Sequence, residues 1–554
     1  MPREIITLQL GHSANFVGTH FWNTQDAYFA LSETAAASAA PELDHDVLYR
    51  AGRNVYGEET YTPRLVILDL KGSLKTLKKV SPLYEAADED GSSAAATWGG
   101  KVERHAEEPY AKNDFLTHLD ENAPQSSSTE PAQSFSAHLE SSVTVWSDFN
   151  KLYYHPKTLV EVPHFLHEDD LKPFSAFTQG LDVMADHDFR DEVLEERMRF
   201  FVEESDSLQG FNLIADATDG FAGITASLLE YIADDFSKKA AITFGVHPAF
   251  DRLDTDKGRK VATLNSSLLI EAAARNSSLY VPLYAPYAAG GSDNAWRYLK
   301  NDLSSTYKWS ACLAAGIETA LLPVRLKAHS IQLGTLAELV SGGSVRTVAG
   351  LSLGLPFPLP SGGSFTDAFA GAGKDRRAQW MADLTLQRGY DQLGDEFGQC
   401  FVVRGVPELA RGSPGRTRPP TNSEIVATVD GFLRAASSTR GQSFSVDAAF
   451  PICESFPQLF KSQVTPDGLI DDSEAPALPN PTTRIATATR LSMAPAHGGL
   501  LRTAGEAFTR GAFANMVAMY EKGDRGLDDE DRRALKESLE EAASRYGEAE
   551  ADYE

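Results

Sequence analysis

A chain of 554 residues, 42% apolar and 23% charged, is long enough for two or three domains with sizeable cores and ordinary in composition for a soluble globular protein. Its 51 basic against 78 acidic residues leave a formal net charge of -27, which argues against a general nucleic-acid or anionic-membrane surface. The three cysteines, Cys312, Cys400 and Cys453, share no short spacing; this excludes a disulfide framework or a cysteine zinc site and fits a reducing compartment.

Ile5-Ile6-Thr7-Leu8 with Leu10 has the β-branched, apolar character of a strand buried on both faces. Gly11 breaks it, and Ser13 or Asn15 is placed to cap a helix on which Phe16, Val17, His20 and Phe21 recur at helical spacing. A strand end leading into a helix N-terminus collects N–H groups and the positive end of a helix dipole, which suits a phosphate. The first strand begins almost at Met1, leaving no room for a cleaved signal peptide or an Arg-rich presequence. No run reaches the ~20 apolar residues of a membrane span. The longest candidate, residues 311–322, contains Glu318.

Asp44-His45-Asp46 reads as an exposed turn, since ligand spacing this short rarely converges on one ion. A second buried strand, residues 65–70, ends in a polar turn carrying Asp69, Lys71 and Gly72. Residues 86–142 interrupt the pattern with Ser-, Ala-, Pro- and acid-rich tracts and are read as an inserted, largely disordered loop. The aromatics of Trp146-Ser-Asp-Phe-Asn150 and Tyr153-Tyr-His-Pro156 read as packing groups. Residues 191–207 form an amphipathic helix. A further strand lies at 240–246 and a helix starts at Leu264. Gly350-Leu-Ser-Leu-Gly354 has the spacing of a nucleophile elbow, but Leu355-Pro-Phe-Pro-Leu-Pro360 forbids the helix that an elbow requires. Gly371-Ala-Gly-Lys374 lacks the first glycine and the hydroxyl residue of a Walker loop. Residues 411–420 form a short basic loop, and the chain from Arg502 is helical, with Leu527-Asp-Asp-Glu-Asp531 capping a last, acidic helix. Strands alternating with helices predict an α/β fold with a sheet covered on both faces.

Arg3-Glu-Ile-Ile6, Leu8-Gln-Leu-Gly11, Asn15 and Gly18-Thr-His-Phe-Trp22 resemble the amino terminus of tubulins, and more closely that of the Misato family of tubulin-like proteins. The Trp146 and Tyr153 motifs are similar to a pairing carried by the same family. The resemblance implies a tubulin-like, nucleotide-binding-type α/β domain with a parallel sheet over residues 1–327, interrupted by the insertion at 86–142. A smaller α+β domain over 328–500 and a C-terminal helical segment with an acidic end over 501–554 follow. It also nominates Gly11, Asn15, Asp69, Gly220 and Gly223 as phosphate-loop positions.

The departures from the tubulin pattern carry the functional argument. Lys71 stands where that pattern has a second acidic residue, and a lysine cannot hold a metal. The tubulin loop Gly-Gly-Gly-Thr-Gly-Ser-Gly is replaced by Thr218-Asp-Gly-Phe-Ala-Gly-Ile224, and glycines are what let a phosphate approach bare N–H groups. Asp216 and Asp219 bring negative charge beside that place; at ~4 Å two like unit charges repel by roughly 4 kcal/mol at an effective dielectric near 20. No base-reading asparagine stands at 283–287, Asn294 being the nearest, and 327–329 offers no carboxylate to a neighbouring subunit's nucleotide. These changes predict no catalytic residue, no metal and no cofactor, GTP being the one candidate. What the Misato resemblance implies is a role in partitioning mitochondria, their morphology and the inheritance of mitochondrial DNA. The expected location is the cytoplasm or the outer mitochondrial surface. Expected partners are proteins of that surface or of the cytoskeleton, with the cytosolic chaperonin as a further one, without direct nucleic-acid contact, transmembrane segment or implied oligomeric state. The alternatives are a divergent GTP-hydrolysing, filament-forming protein and a chaperonin adaptor or client.

Overall fold

The computed structural model describes residues 3–34, 43–54, 57–78, 83–84, 110–121, 135–248, 255–286, 295–300, 302–359, 365, 380–385, 396–406, 421–436, 441–471, 482–509 and 527–547. Six strands form its first sheet: β1 (Ile5–Leu10), β2 (Leu65–Lys71), β3 (Leu159–Leu166), β4 (Gly210–Asp216), β5 (Ala240–His247) and β6 (Leu279–Tyr284). All pairings are parallel and the order is 3-2-1-4-5-6, so the direction of winding reverses between β1 and β4. Every residue of β1 and β4 is buried. Strands covered on both faces read as continuous apolar runs, which is why β1, β2 and β5 were visible in the sequence, whereas β3, partly exposed along its second half, and β6 were not read as strands.

The helices that cover it are α1 (His12–Thr34), α2 (Phe177–Ala185), α3 (Phe221–Asp235) and α4 (Asp256–Asn276). The first begins directly after Gly11, so Ser13 and Asn15 lie inside its first turn and neither is its cap. The fourth begins at Asp256, before the expected Leu264, with Thr255 accepting from the Gly258 amide as its cap. Within the stretch read as a loop without periodicity, Asp114–Glu121 and Phe135–Ser142 are helices that bury Phe115 and Leu139. Their short apolar faces are diluted by polar neighbours, and no long periodic window reveals them.

A second sheet contains β7 (Gly350–Gly354), β8 (Ala382–Asp383), β9 (Gly398–Arg404), β10 (Gly441–Val446) and β11 (Thr487–Met493), in the order 8-7-11-9-10. Its pairings are antiparallel except β9 with β10. Helix α5 (Thr306–Ala320) lies between the two sheets' systems, against α1 on one side and β7, β9 and β11 on the other. It is buried continuously from Trp309 to Ala320, as expected of a helix apolar all round. Further helices are α6 (Leu333–Ser341), α7 (Asn422–Ala436), α8 (His497–Ala507) and α9 (Asp529–Ser544). The expected acidic cap of α9 is present: the Asp528 carboxylate accepts from the amides of Glu530 and Asp531. Residues 294, 371–375 and 411–420, singled out in the sequence, lie outside the described residues.

One charge sits inside α5. Glu318 is fully buried and accepts from the Tyr28 hydroxyl of α1 at 2.9 Å, from Arg325 at 2.8 Å and from Arg404 of β9 at 2.5 Å. Arg404 also donates to the carbonyls of Ala448 and Ala449. Burial would push the Glu318 carboxyl up, but Arg404 and Arg325 outweigh it and hold the group below the usual carboxylate range. Replacing the charge leaves two buried guanidinium groups without their counter-ion, so Glu318→Gln is expected to cost ~3–5 kcal/mol in chemical unfolding. A loss within the range of a surface substitution, ±0.5 kcal/mol or about that, contradicts the assignment.

Candidate functional site

In open parallel sheets the ligand crevice lies at the carboxyl ends of the strands where winding reverses, here between β1 and β4. Leu10 pairs with Ala215, so the next residues, Gly11 and Asp216, face each other at that point. Gly11 has φ +105°, a conformation that favours glycine, and it turns the chain from β1 directly into α1. The exposed donors of that helix start meet the Asp216 carboxylate: the Ser13 amide donates to Oδ2 at 2.9 Å and the Ala14 amide to Oδ1 at 2.7 Å. Asp216 is 2% exposed, and a Cβ on Gly11 would lie 2.6 Å from its Oδ2. The glycine is therefore demanded twice, by its φ angle and by the carboxylate packed against it.

A second carboxylate flanks the same turn. Asp69, near the end of β2 and 1% exposed, accepts at Oδ2 from Trp146 Nε1 at 2.7 Å and Asn15 Nδ2 at 3.0 Å. Its Oδ1 accepts from the Leu70 amide at 2.7 Å, and His12 Nδ1 lies 3.7 Å from Oδ2. Asn15 Nδ2 also reaches the Leu68 carbonyl at 3.2 Å. Burial pushes Asp69 up, but His12, the Asn15 amide and the Leu70 N–H act more strongly and hold it below the usual carboxylate range. The His12 ring packs against His167 from the segment after β3, with centroids 4.2 Å apart and the planes tilted by 34°. Burial, then the facing His12, lowers His167.

The loop between β4 and α3 is arranged differently. Asp219 Oδ1 accepts from the Phe221 amide at 2.9 Å, and Gly220 has right-handed angles, φ -63° and ψ -23°. A Cβ on Gly220 would lie 2.6 Å from the Phe174 ring, which packs edge-on to Phe221 with centroids 5.1 Å apart. One on Gly223 would lie 2.0 Å from the Phe177 carbonyl, and one on Gly180 2.0 Å from the Gly220 carbonyl. These glycines let α2 and the segment before it press onto the start of α3. Asn265 of α4 holds that segment down, accepting from the Phe177 amide at 2.9 Å and donating to the carbonyls of Ser175 and Thr218.

Of the five nominated positions, Gly11, Asn15 and Asp69 thus meet at one turn, while Gly220 and Gly223 lie under the segment 174–180. Lys71 is exposed at the end of β2. Sequence reasoning did not identify His12, Trp146 or His167 as members of this cluster, or Asp216 as its central acceptor. The indole of Trp146 was readable only as a large apolar group, although a buried indole N–H needs a partner. Among the described residues no group of three His, Cys, Asp or Glu side chains converges to hold a metal ion.

The charges predict their own pH response. Burial, with Asp219 as the next contributor, raises Asp216 well above its ordinary value against the two helix amides that bond it. Burial likewise raises Asp219 from 3.8 to about 7. Between those values the folded protein keeps a proton on Asp219 that the unfolded chain has released. Its stabilising contribution is therefore full below 3.8 and lost as pH rises through about 7. Asp219→Asn keeps an acceptor for the Phe221 amide and removes this decline, so its stability relative to the parent should rise from about pH 5 to about pH 8 in urea unfolding. A pH-independent difference contradicts it. Gly11→Ala is expected to lose at least ~1–3 kcal/mol by the same measurement, because its backbone angle and the Asp216 contact both resist a Cβ.

Comparison with known proteins bears on both turns. A family described as Misato Segment II tubulin-like domain matches residues 3–121, and a family described as Tubulin domain matches residues 136–326. The chain is 32% identical over 512 residues to Protein misato homolog 1 of Homo sapiens, covering 85% of this chain and 86% of that protein. It is 31% identical over 545 residues to Protein misato homolog 1 of Danio rerio, covering 90% and 89% respectively. To Protein DML1 of Gibberella zeae it is 31% identical over 470 residues, covering 83% and 86%.

Proposed function

The chain belongs to the Misato family of tubulin-like proteins, and from that premise we propose that it is a tubulin-like scaffold that acts through protein partners in partitioning and shaping mitochondria and in the inheritance of mitochondrial DNA, without a nucleotide cycle. The observation that carries the reading is that the Ser13 and Ala14 amides at the start of α1 are already taken by the two side-chain oxygens of Asp216. A diphosphate brought to the same turn would displace Asp216 and face Asp69 and Asp219 as well. The right-handed Gly220, under Phe174, adds no bare cradle on the other side. With Lys71 at the end of β2, the turn after that strand carries Asp69 but no second carboxylate for magnesium.

The scaffold works in the cytoplasm or at the outer mitochondrial surface, and no helix among the described residues is long and apolar enough to cross a membrane. Its partners are proteins of that surface or of the cytoskeleton, with the cytosolic chaperonin acting on the chain or beside it. The competing reading, a divergent GTPase that forms filaments, draws on the convergence of Gly11, Asn15 and Asp69 at one turn. Nucleotide content separates the two. Gently purified protein should release well under one guanine nucleotide per chain and gain no thermal stability from GTP with magnesium, since a ligand at 100 times its dissociation constant would add ~2.7 kcal/mol. One guanine nucleotide per chain, with GTP-dependent sedimentation, overturns the scaffold reading. Depletion in the protein's own cells should alter mitochondrial shape and DNA content; normal mitochondria after depletion overturn the assigned process.

A further inference from the structure

Asn212 lies near the middle of β4, in register with Thr7 of β1 and Ile242 of β5, and is 1% exposed. The strand ladder satisfies backbone groups only, so its carboxamide must find partners of its own. Neither Oδ1 nor Nδ2 has one among the described residues. Asn212 lines a small cavity together with Arg325, which is 3% exposed. One terminal nitrogen of that guanidinium donates to Gln25 Oε1 and the other to Glu318 Oε1 at 2.8 Å, while its Nε has no partner among the described residues. The remaining walls are the apolar side chains of Ile5, Phe21, Leu48, Leu321, Val324 and Leu333, each at most 4% exposed. The cavity has a volume of ≈ 10 Å³, which matches the room that one water molecule needs, about 10–15 Å³.

The three polar atoms decide what fits. Arg325 Nε and Asn212 Nδ2 carry hydrogens and need an acceptor, whereas Asn212 Oδ1 needs a donor. Exchanging the two ends of the carboxamide leaves the same requirement. An anion accepts but cannot donate to the oxygen, a cation meets the guanidinium charge, and an apolar guest serves none of the three. Water donates and accepts, and it has the right size. We infer that the cavity between β4 and the turn after α5 is a binding site for one water molecule, which joins the Asn212 carboxamide to Arg325 Nε. The water extends the buried Glu318 cluster into the first sheet: the polar chain runs from Asn212 through the water and Arg325 to Glu318, and on to Arg404 of β9. A strand of one sheet is thereby tied to a strand of the other through groups that are all out of contact with solvent. The site goes beyond the scaffold reading and is independent of whether a nucleotide binds.

The test counts long-lived internal waters in the full chain by deuterium magnetic relaxation dispersion of the solvent. Asn212→Leu keeps the shape of the carboxamide and leaves the site a single polar contact, too few to hold a water. The parent should therefore retain one more long-lived water than this variant, and equal counts overturn the inference. The sign of the stability change is a second reading. Loss of the water strips Arg325 Nε of its acceptor, so Asn212→Leu should melt below the parent; a Tm above the parent's shows that the carboxamide had no partner to lose and overturns the inference. Should Asn212→Leu not accumulate as folded protein, a crystal structure of the parent decides. Density for one water within hydrogen-bond distance of both Asn212 and Arg325 Nε is the expected result. A carboxamide bonded directly to Arg325 or Thr7, or a cavity without density, overturns it.

Discussion

The start of α1 is the constraint around which the amino-terminal half is arranged. A helix that begins one residue after a buried strand presents its first amides to the interior, where unsatisfied N–H groups cost ~1–3 kcal/mol each. An acceptor from elsewhere in the chain can meet them. Asp216 meets the requirement from the neighbouring strand, with one side-chain oxygen on each amide. The parallel order of β1 and β4 makes the meeting possible, because it brings both carboxyl ends to one edge in register. Gly11 follows from it, since no other residue fits between that carboxylate and the turn. Fold and site are here the same interaction seen from two sides.

Much of the central sheet was legible because its strands are buried on both faces, and Ile5–Leu10 or Leu65–Leu68 can be read without knowing their neighbours. The negative charge of Asp216 and Asp219 was legible too, as repulsion toward a phosphate. What the chain does with Asp216 was not, because the bond to Ser13 and Ala14 depends on pairing between strands far apart in sequence. Trp146 was hidden for a related reason: nothing local distinguishes an indole that packs from one that packs and also donates to Asp69. The glycines of the β4–α3 loop illustrate a further limit. Gly220 and Gly223 are spaced like residues that admit a ligand, but what approaches them is the Phe174 ring at Gly220 and the Phe177 carbonyl at Gly223. Close approach is what a glycine reports, and the sequence does not say by what.

The two halves are joined by another buried acidic side chain. Glu318 is acidic within an apolar helix, and in the sequence it served only to disqualify residues 311–322 as a membrane span. In the fold it binds Tyr28 from the first helix, Arg325 from the turn after α5 and Arg404 from the second sheet. A fully apolar helix could pack there in more than one rotation about its axis; a buried carboxylate with three fixed partners admits one. Specificity of this sort is bought at the expense of desolvation. The interface between the two sheets' systems is accordingly set by polar geometry as much as by apolar area.

That arrangement has a consequence in time. During synthesis α5 leaves the ribosome with apolar side chains on every face and a carboxylate among them. Arg404 is 86 residues further on, and the strand at 487–493 that also covers the helix emerges later still. At ~5–20 residues per second the wait for Arg404 alone is roughly 4–17 s. Through that interval the helix can dock against α1, while the side that β7, β9 and β11 later cover stays open.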